Sequence, residues 1–218
     1  MRTTERLRAI KEWTYENLCK GRMMKAPSPD MDITQIYRQE PKVFLGWQPS
    51  RPDITGYQPE DPWNVCPSIL IMPTQSYAMN MIEKRFDRYN KIMRPKQMGQ
   101  QFSCQFLFSV YEPGIRLPGF NLKDGIESNI DVTRIMEGTE QGLMTLCNWM
   151  DDLLEGLIGT KMIPNSDLML DETSVKYSLA EESGYIVDKR PIFYGFVVAE
   201  FVCYAEDGGK SALDDYLK

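Results

Sequence analysis

Histidine is absent from the 218 residues. That excludes the Ser-His-Asp and Cys-His catalytic arrangements and removes the commonest general base near neutral pH. The five cysteines, Cys19, Cys66, Cys104, Cys147 and Cys203, are odd in number, far apart and without a CxxC pair. With no histidine to complete a metal set, they are expected to be buried, reduced thiols. No apolar run approaches the roughly 18 residues of a membrane span. The N-terminus, MRTTERLRAIKEW, lacks the apolar core of a signal peptide, so a cytoplasmic site of assembly is expected. GxGxxG, GxxxxGK[ST], HExxH and GxSxG are all missing, which leaves nucleotide, zinc and hydrolase chemistry without a motif. The expectation is a protein that is not an enzyme and holds no cofactor or metal.

Positive charge is also in the minority. Lys and Arg number 25 against 31 Asp and Glu, a net charge of −6, which argues against a protein that wraps nucleic-acid phosphates. The distribution is uneven. Residues 1–25 hold seven bases against three acids, residues 83–96 six against two, and residues 131–190 twelve acids against five bases. Besides solvated faces of mixed sign, this asymmetry suggests a basic surface on one subunit meeting an acidic surface on the next.

What is present is organised around residues 192–205, IFYGFVVAEFVCYA, where Glu200 is the only charge. β-Branched and aromatic side chains dominate both of its faces, which predicts a central strand covered on both sides. A first helix, capped by Thr3 or Thr4, is expected to run to about Lys20 and stop at Gly21, with Leu7, Ile10, Trp13 and Leu18 as its apolar stripe. Residues 22–65 carry seven prolines and read as an insertion or arm, with a short strand at 43–47. Its Tyr37, Phe44, Trp47, Tyr57 and Trp63 are expected to dock on this domain or on a neighbour.

Residues 68–72 suit a buried strand ending at Pro73, and 102–110 alternate as a clear strand ended by EPG at 112–114. Residues 84–93 read as a weak strand, which would form a hairpin with 102–110, or as a helix over 82–89. A loop at 117–130 precedes the main helix, about 132–158, in which Leu143, Leu146, Met150, Leu153 and Leu157 recur at helical spacing; Gly138 and Gly142 weaken its first turns, and Gly159 is its expected terminator. A strand at 168–179 and a polar turn at 181–190 lead into the central strand. The fold class is therefore α+β: a mostly antiparallel sheet of four to five strands, an N-terminal helix and one long helix packed on it, and a proline-rich insertion. Residues 1–205 read as a single domain and 206–218 as a polar tail.

Three groups are candidates for function. Asp151, Asp152 and Glu155 place carboxylates on one helix face, which is ordinarily a solvated face and otherwise a metal site. Glu200 inside an apolar strand needs solvent, a lumen or a partner, because burying it unpaired costs several kcal/mol. Arg85, Arg88, Lys91 and Arg94, with Phe86 and Tyr89 interleaved, suit a nucleic-acid or subunit contact.

The order helix, strand, hairpin, long helix, strand, strand resembles the tail terminator proteins of long-tailed, siphovirus-like bacteriophages. So does the wording of TLCNWMDDLLEGLIG at 145–159, LMLDETSVKYSL at 168–179 and YIVDKRPIFYGFVVAEFVCYA at 185–205. The resemblance implies a virion structural protein of the tail neck: a homo-oligomeric ring, usually a hexamer, that caps the head-proximal end of the tail tube and joins it to the head-side connector. It also implies that genomic DNA passes through the ring without specific binding; the acidic 131–190 region suggests a lumen to which Asp151, Asp152 and Glu155 lend negative charge. Another neck component, such as a head-completion or connector adaptor protein, shares the same size, acidity and lack of catalytic motif.

Overall fold

The structure is a computed structural model and describes residues 1–28, 37–47, 49–53, 56–59, 62–80, 98–117, 122–123, 126–127, 134–136, 138–179 and 188–204. Within these the chain is α+β. Helix α1 (Thr3–Thr14) widens into a π turn at Tyr15–Cys19, and Gly21, at φ +75°, turns the chain away. The helix thus loses its regular hydrogen bonding six residues before Lys20. Its cap is Arg2, not Thr3 or Thr4, and the Arg2 amide donates to the Glu5 carboxylate at 2.7 Å. Ile10, Trp13 and Leu18 are buried as their spacing predicts, and so is Arg6.

Strands β1 (Met24–Ala26) and β2 (Tyr37–Gln39) pair antiparallel. β3 (Lys42–Leu45) lies parallel to β6 (Ser68–Asn80). Between them come a small hairpin, β4 (Ser50–Asp53) with β5 (Gly56–Pro59), and the single helical turn α2 (Pro62–Val65). β6 pairs antiparallel with β7 (Met98–Tyr111). After β8 (Ile115–Leu117), β9 (Leu122–Lys123), β10 (Ile126–Glu127) and β11 (Arg134–Met136) comes the long helix α3 (Thr139–Thr160). β12 (Leu168–Leu170), β13 (Lys176–Ser178) and β14 (Asp188–Lys189) then lead to β15 (Ile192–Tyr204).

The main sheet holds seven strands, in the order β12-β15-β7-β6-β3, with β13 and β14 also on β15. β12, β13 and β14 occupy successive stretches of one β15 edge, opposite 201–203, 196–198 and 192–193. Seven strands therefore fill five positions, where four to five strands were expected. β15 is an interior strand, paired along both edges, while β7 holds the middle position; among the described residues of this sheet only the β3–β6 pair is parallel.

Several expectations need correction. β7 forms its hairpin with β6, not with residues 84–93, which lie outside the described residues. β6 does not stop at Pro73 but passes through it with a register shift between Pro73 and Gln75. β3 ends opposite Ile71, so Pro73 lies beyond the β3-paired stretch, where its missing N–H is tolerated. The expected 117–130 loop carries one short pairing, β9 with β10, and is flanked by another, β8 with β11. The strand expected over 168–179 is broken by a 3-10 turn at Glu172–Ser174, where the Asp171 carboxylate accepts from the Thr173 amide at 3.2 Å.

α3 begins at Thr139, not 132, because Arg134–Met136 is taken into β11 against β8; Gly138 then sits at β7's exit, where a Cβ would meet Glu112 Cγ at 2.6 Å and Gly114 Cα at 2.8 Å. Its end is also displaced. Gly159 is still helical, and Lys161, at φ 58°, takes the left-handed position.

Both long helices cover one face of the sheet. α1 and α3 bury Ile10, Trp13, Leu146, Trp149 and Met150 against Ile69, Ile71, Phe102, Phe106, Phe108, Val197 and Phe201. Trp149 meets Phe108 edge to face at 5.1 Å and donates its indole N–H to the Leu18 carbonyl at 3.3 Å, tying helix, strand and π turn together. Close approach of α3 to β15 depends on Gly142 and Gly195; a Cβ on Gly142 would lie 2.4 Å from the Phe193 ring.

The opposite face is covered over much of its area, as expected: Gln101, Ser103, Ser109, Tyr111 and Ile192 are buried there. A small cluster of Cys66, Tyr111, Ile192 and Tyr194 closes one end. Further along, Phe196, Val198, Val202 and Leu107 stay half-buried, and no described helix lies over them. β7 contributes Gln101, Ser103, Gln105 and Ser109 to this face, and all but Gln105 are buried.

Candidate functional site

The acidic helix face splits when its residues are placed. α3 buries Leu146, Trp149, Met150, Leu153 and Leu157, which turns Met144, Asn148, Asp151, Glu155 and Ile158 outward. Their spacing of three or four residues puts them on one stripe, about 21 Å long from Met144 to Ile158. Met144 is 55% and Ile158 36% exposed, so the stripe has apolar ends and an acidic middle. Among the described residues, neither Asp151 nor Glu155 engages in a hydrogen bond or ion pair. Asp152 is different, because Arg22 holds it from just after the π turn. The three carboxylates therefore do not form one site, and no group of three or more metal-ligating side chains occurs among the described residues.

Glu200 is settled locally. It points to the half-open face of β15 and accepts a hydrogen bond from the Gln101 side chain on β7. Its amide donates to Ser174 Oγ at 2.9 Å, and its carbonyl accepts from the Asp171 amide at 2.9 Å, so it also anchors the 3-10 turn. Arg85, Arg88, Lys91 and Arg94 lie outside the described residues. Of the arm's aromatics, Phe44 is half-buried, Tyr37 is exposed, and Trp47 is 85% exposed. Of the two dockings expected, on this domain or on a neighbour, Trp47 does not make the first; Gly46, at φ +80°, turns the chain as β3 ends. The side chains of Tyr57 and Trp63 lie outside the described residues.

Two ion pairs hold the scaffold and were not singled out in the sequence. Arg6, 4% exposed, grips Asp167 with both ends of its guanidinium, Nε to Oδ1 at 2.9 Å and Nη2 to Oδ2 at 2.6 Å, and also donates to the Gln100 side chain on β7. Burial alone would raise the Asp167 carboxyl, but the Arg6 hydrogen bonds and charge more than offset it and hold it below the usual range. The available signal was Arg6 itself, a charge at i−4 from Ile10 and i−7 from Trp13 on the buried stripe. The second pair joins Lys25 of β1 to buried Glu112 just past β7, pinning the arm to the sheet.

Met23, Lys25, Arg38, Glu112 and Thr145 help to line a cavity of about 180 Å³, with Glu112 buried in its wall and Met23, Lys25 and Arg38 more exposed at its rim. Lys25 and Arg38 stand directly opposite each other across the β1–β2 pair.

Thiol chemistry finds little support in the described geometry. All five cysteines are free, and four are buried as predicted, Cys147 being half-buried. Burial pushes the Cys19, Cys66 and Cys104 thiols up to about 12 and Cys203 to about 11, so at neutral pH they stay protonated. What the described surface offers is an acidic stripe with apolar ends and a cationic cavity rim. Comparison with protein-family models, curated proteins and solved structures finds no match for this chain.

Proposed function

We propose that the protein is a structural subunit of a bacteriophage tail neck, forming a homo-oligomeric ring, in this reading a hexamer, on the head-proximal end of the tail tube. One observation carries the reading. The three stretches that resemble tail terminators form a single packed unit: 145–159 lies in α3, which packs on β15, and 168–179 supplies β12 and β13, which pair with β15 from 185–205. Resemblance spread over unconnected surface segments would carry less weight than resemblance concentrated in one layer.

In this reading the sheet bearing 102–110 and 192–204 builds the subunit wall. The short pairings that follow β7, β8 with β11 and β9 with β10, reach the tube protein or the head-side connector. Capping ends tube polymerisation by occupying the growing end, with no catalytic step, no cofactor and no membrane. Genomic DNA passes through the ring without specific binding, in keeping with the net charge of −6. The protein assembles in the host cytoplasm and resides in the virion.

The test is addition of the purified chain to uncapped tail tubes under an electron microscope. Density at one tube end with arrested elongation is expected. Failure to bind tubes, with the protein found instead on the head side of disassembled virions, would replace this reading with that of a connector adaptor.

A further inference from the structure

We propose that the cavity rim carrying Lys25 and Arg38 receives the acidic stripe of α3, Asp151 and Glu155, from a second copy of this chain. This rests on the ring reading and specifies its contact. Two cations directly opposite each other on an antiparallel pair repel. The buried carboxylate of Glu112 neutralises one of them through Lys25. Nothing among the described residues does the same for Arg38, whose side chain enters no hydrogen bond or ion pair there. The rim is therefore one negative charge short. Asp151 and Glu155 are carboxylates in the converse position, exposed and engaged by no described residue.

The apolar parts match as well. Met23 on the rim is 53% exposed, and the stripe presents Met144 and Ile158 beside its carboxylates. Adaptable methionine and isoleucine side chains would desolvate the charge pairs and raise their worth above that of open-surface pairs. In the ring reading the contact runs head-to-tail, the rim of one copy against the stripe of the next, and closes when the rotation permits. It also moves Asp151 and Glu155 from the lumen, where the acidity of residues 131–190 put them, into the subunit contact.

Full-length variants test this by native mass spectrometry, alone and on isolated tail tubes. Arg38→Glu on one side, and Asp151→Arg with Glu155→Arg on the other, should each weaken self-assembly at least about tenfold, since like charges face each other. An equimolar mixture should restore it, because alternating copies recover an opposite-charge contact at every interface. Recovery also shows that both variants fold. Assembly unchanged in both variants would overturn this contact and leave the ring standing. Wild-type protein that forms no oligomer, alone or on tubes, would overturn the ring reading and this contact together.

Discussion

Replacing Arg6 by Met should expose how much of the fold hangs on one buried guanidinium. The side chain is 4% exposed and bridges α1, the segment before β12 and the Gln100 side chain of β7, while Asp167 keeps 18% exposure. Breaking a buried pair by removing one partner costs about 3–5 kcal/mol. Asp167 retains some water and the Met1 amine lies 3.7 Å away, so about 2–3 kcal/mol is the working figure after that discount.

With a urea slope of about 2–3 kcal/mol/M, the unfolding midpoint should fall by about 1 M. Asp167→Asn should cost a similar amount, and the double variant should cost clearly less than the sum. The pH dependence has a definite sign. The folded Asp167 pKa is depressed, so the stabilisation is complete above the unfolded carboxyl pKa and is lost as pH falls through the folded one. The wild-type advantage over Arg6→Met should therefore shrink on acidification. Additive single variants, or an advantage that grows as pH falls, would refute the coupling.

Further variants probe the other junctions. Gly142→Val should destabilise by about 1–3 kcal/mol in thermal melts, because even its Cβ would fall 2.4 Å from the Phe193 ring. Phe108→Ala should cost about 3–5 kcal/mol and quench the near-ultraviolet dichroism of Trp149, its edge-to-face partner. Lys25→Met should leave the buried Glu112 carboxylate without its cation, loosening residues 24–39 to protease at a stability cost of about 2 kcal/mol. Thiol titration at pH 8 should label half-buried Cys147 first, with Cys19, Cys66, Cys104 and Cys203 reacting only on unfolding.

Those junctions also explain what could be read in the chain beforehand. β15 and β7 are readable because a long apolar run and a clean alternation each state their own structure. The core of α3 is readable for the same reason, through its recurrent leucines. Its first turn is not, since the start is set by the pairing of β11 with β8, a contact outside the helix's own sequence. β6 continuing past Pro73 depends on where its neighbour β3 ends, which no local pattern records. Arg6 and Asp167 are 161 residues apart and Lys25 and Glu112 are 87, so each charge shows in the sequence without its partner. The acidic face was visible as a group, but only placement separates Asp152, taken by Arg22, from Asp151 and Glu155.

The most direct test of the central claim is the mass of the assembled species, measured by native mass spectrometry on the 25.3 kDa chain alone and after mixing with isolated tail tubes. A closed ring of fixed copy number, six in this account, in solution or only on tube ends, is the predicted result. A chain that stays monomeric and leaves tube ends bare would contradict it.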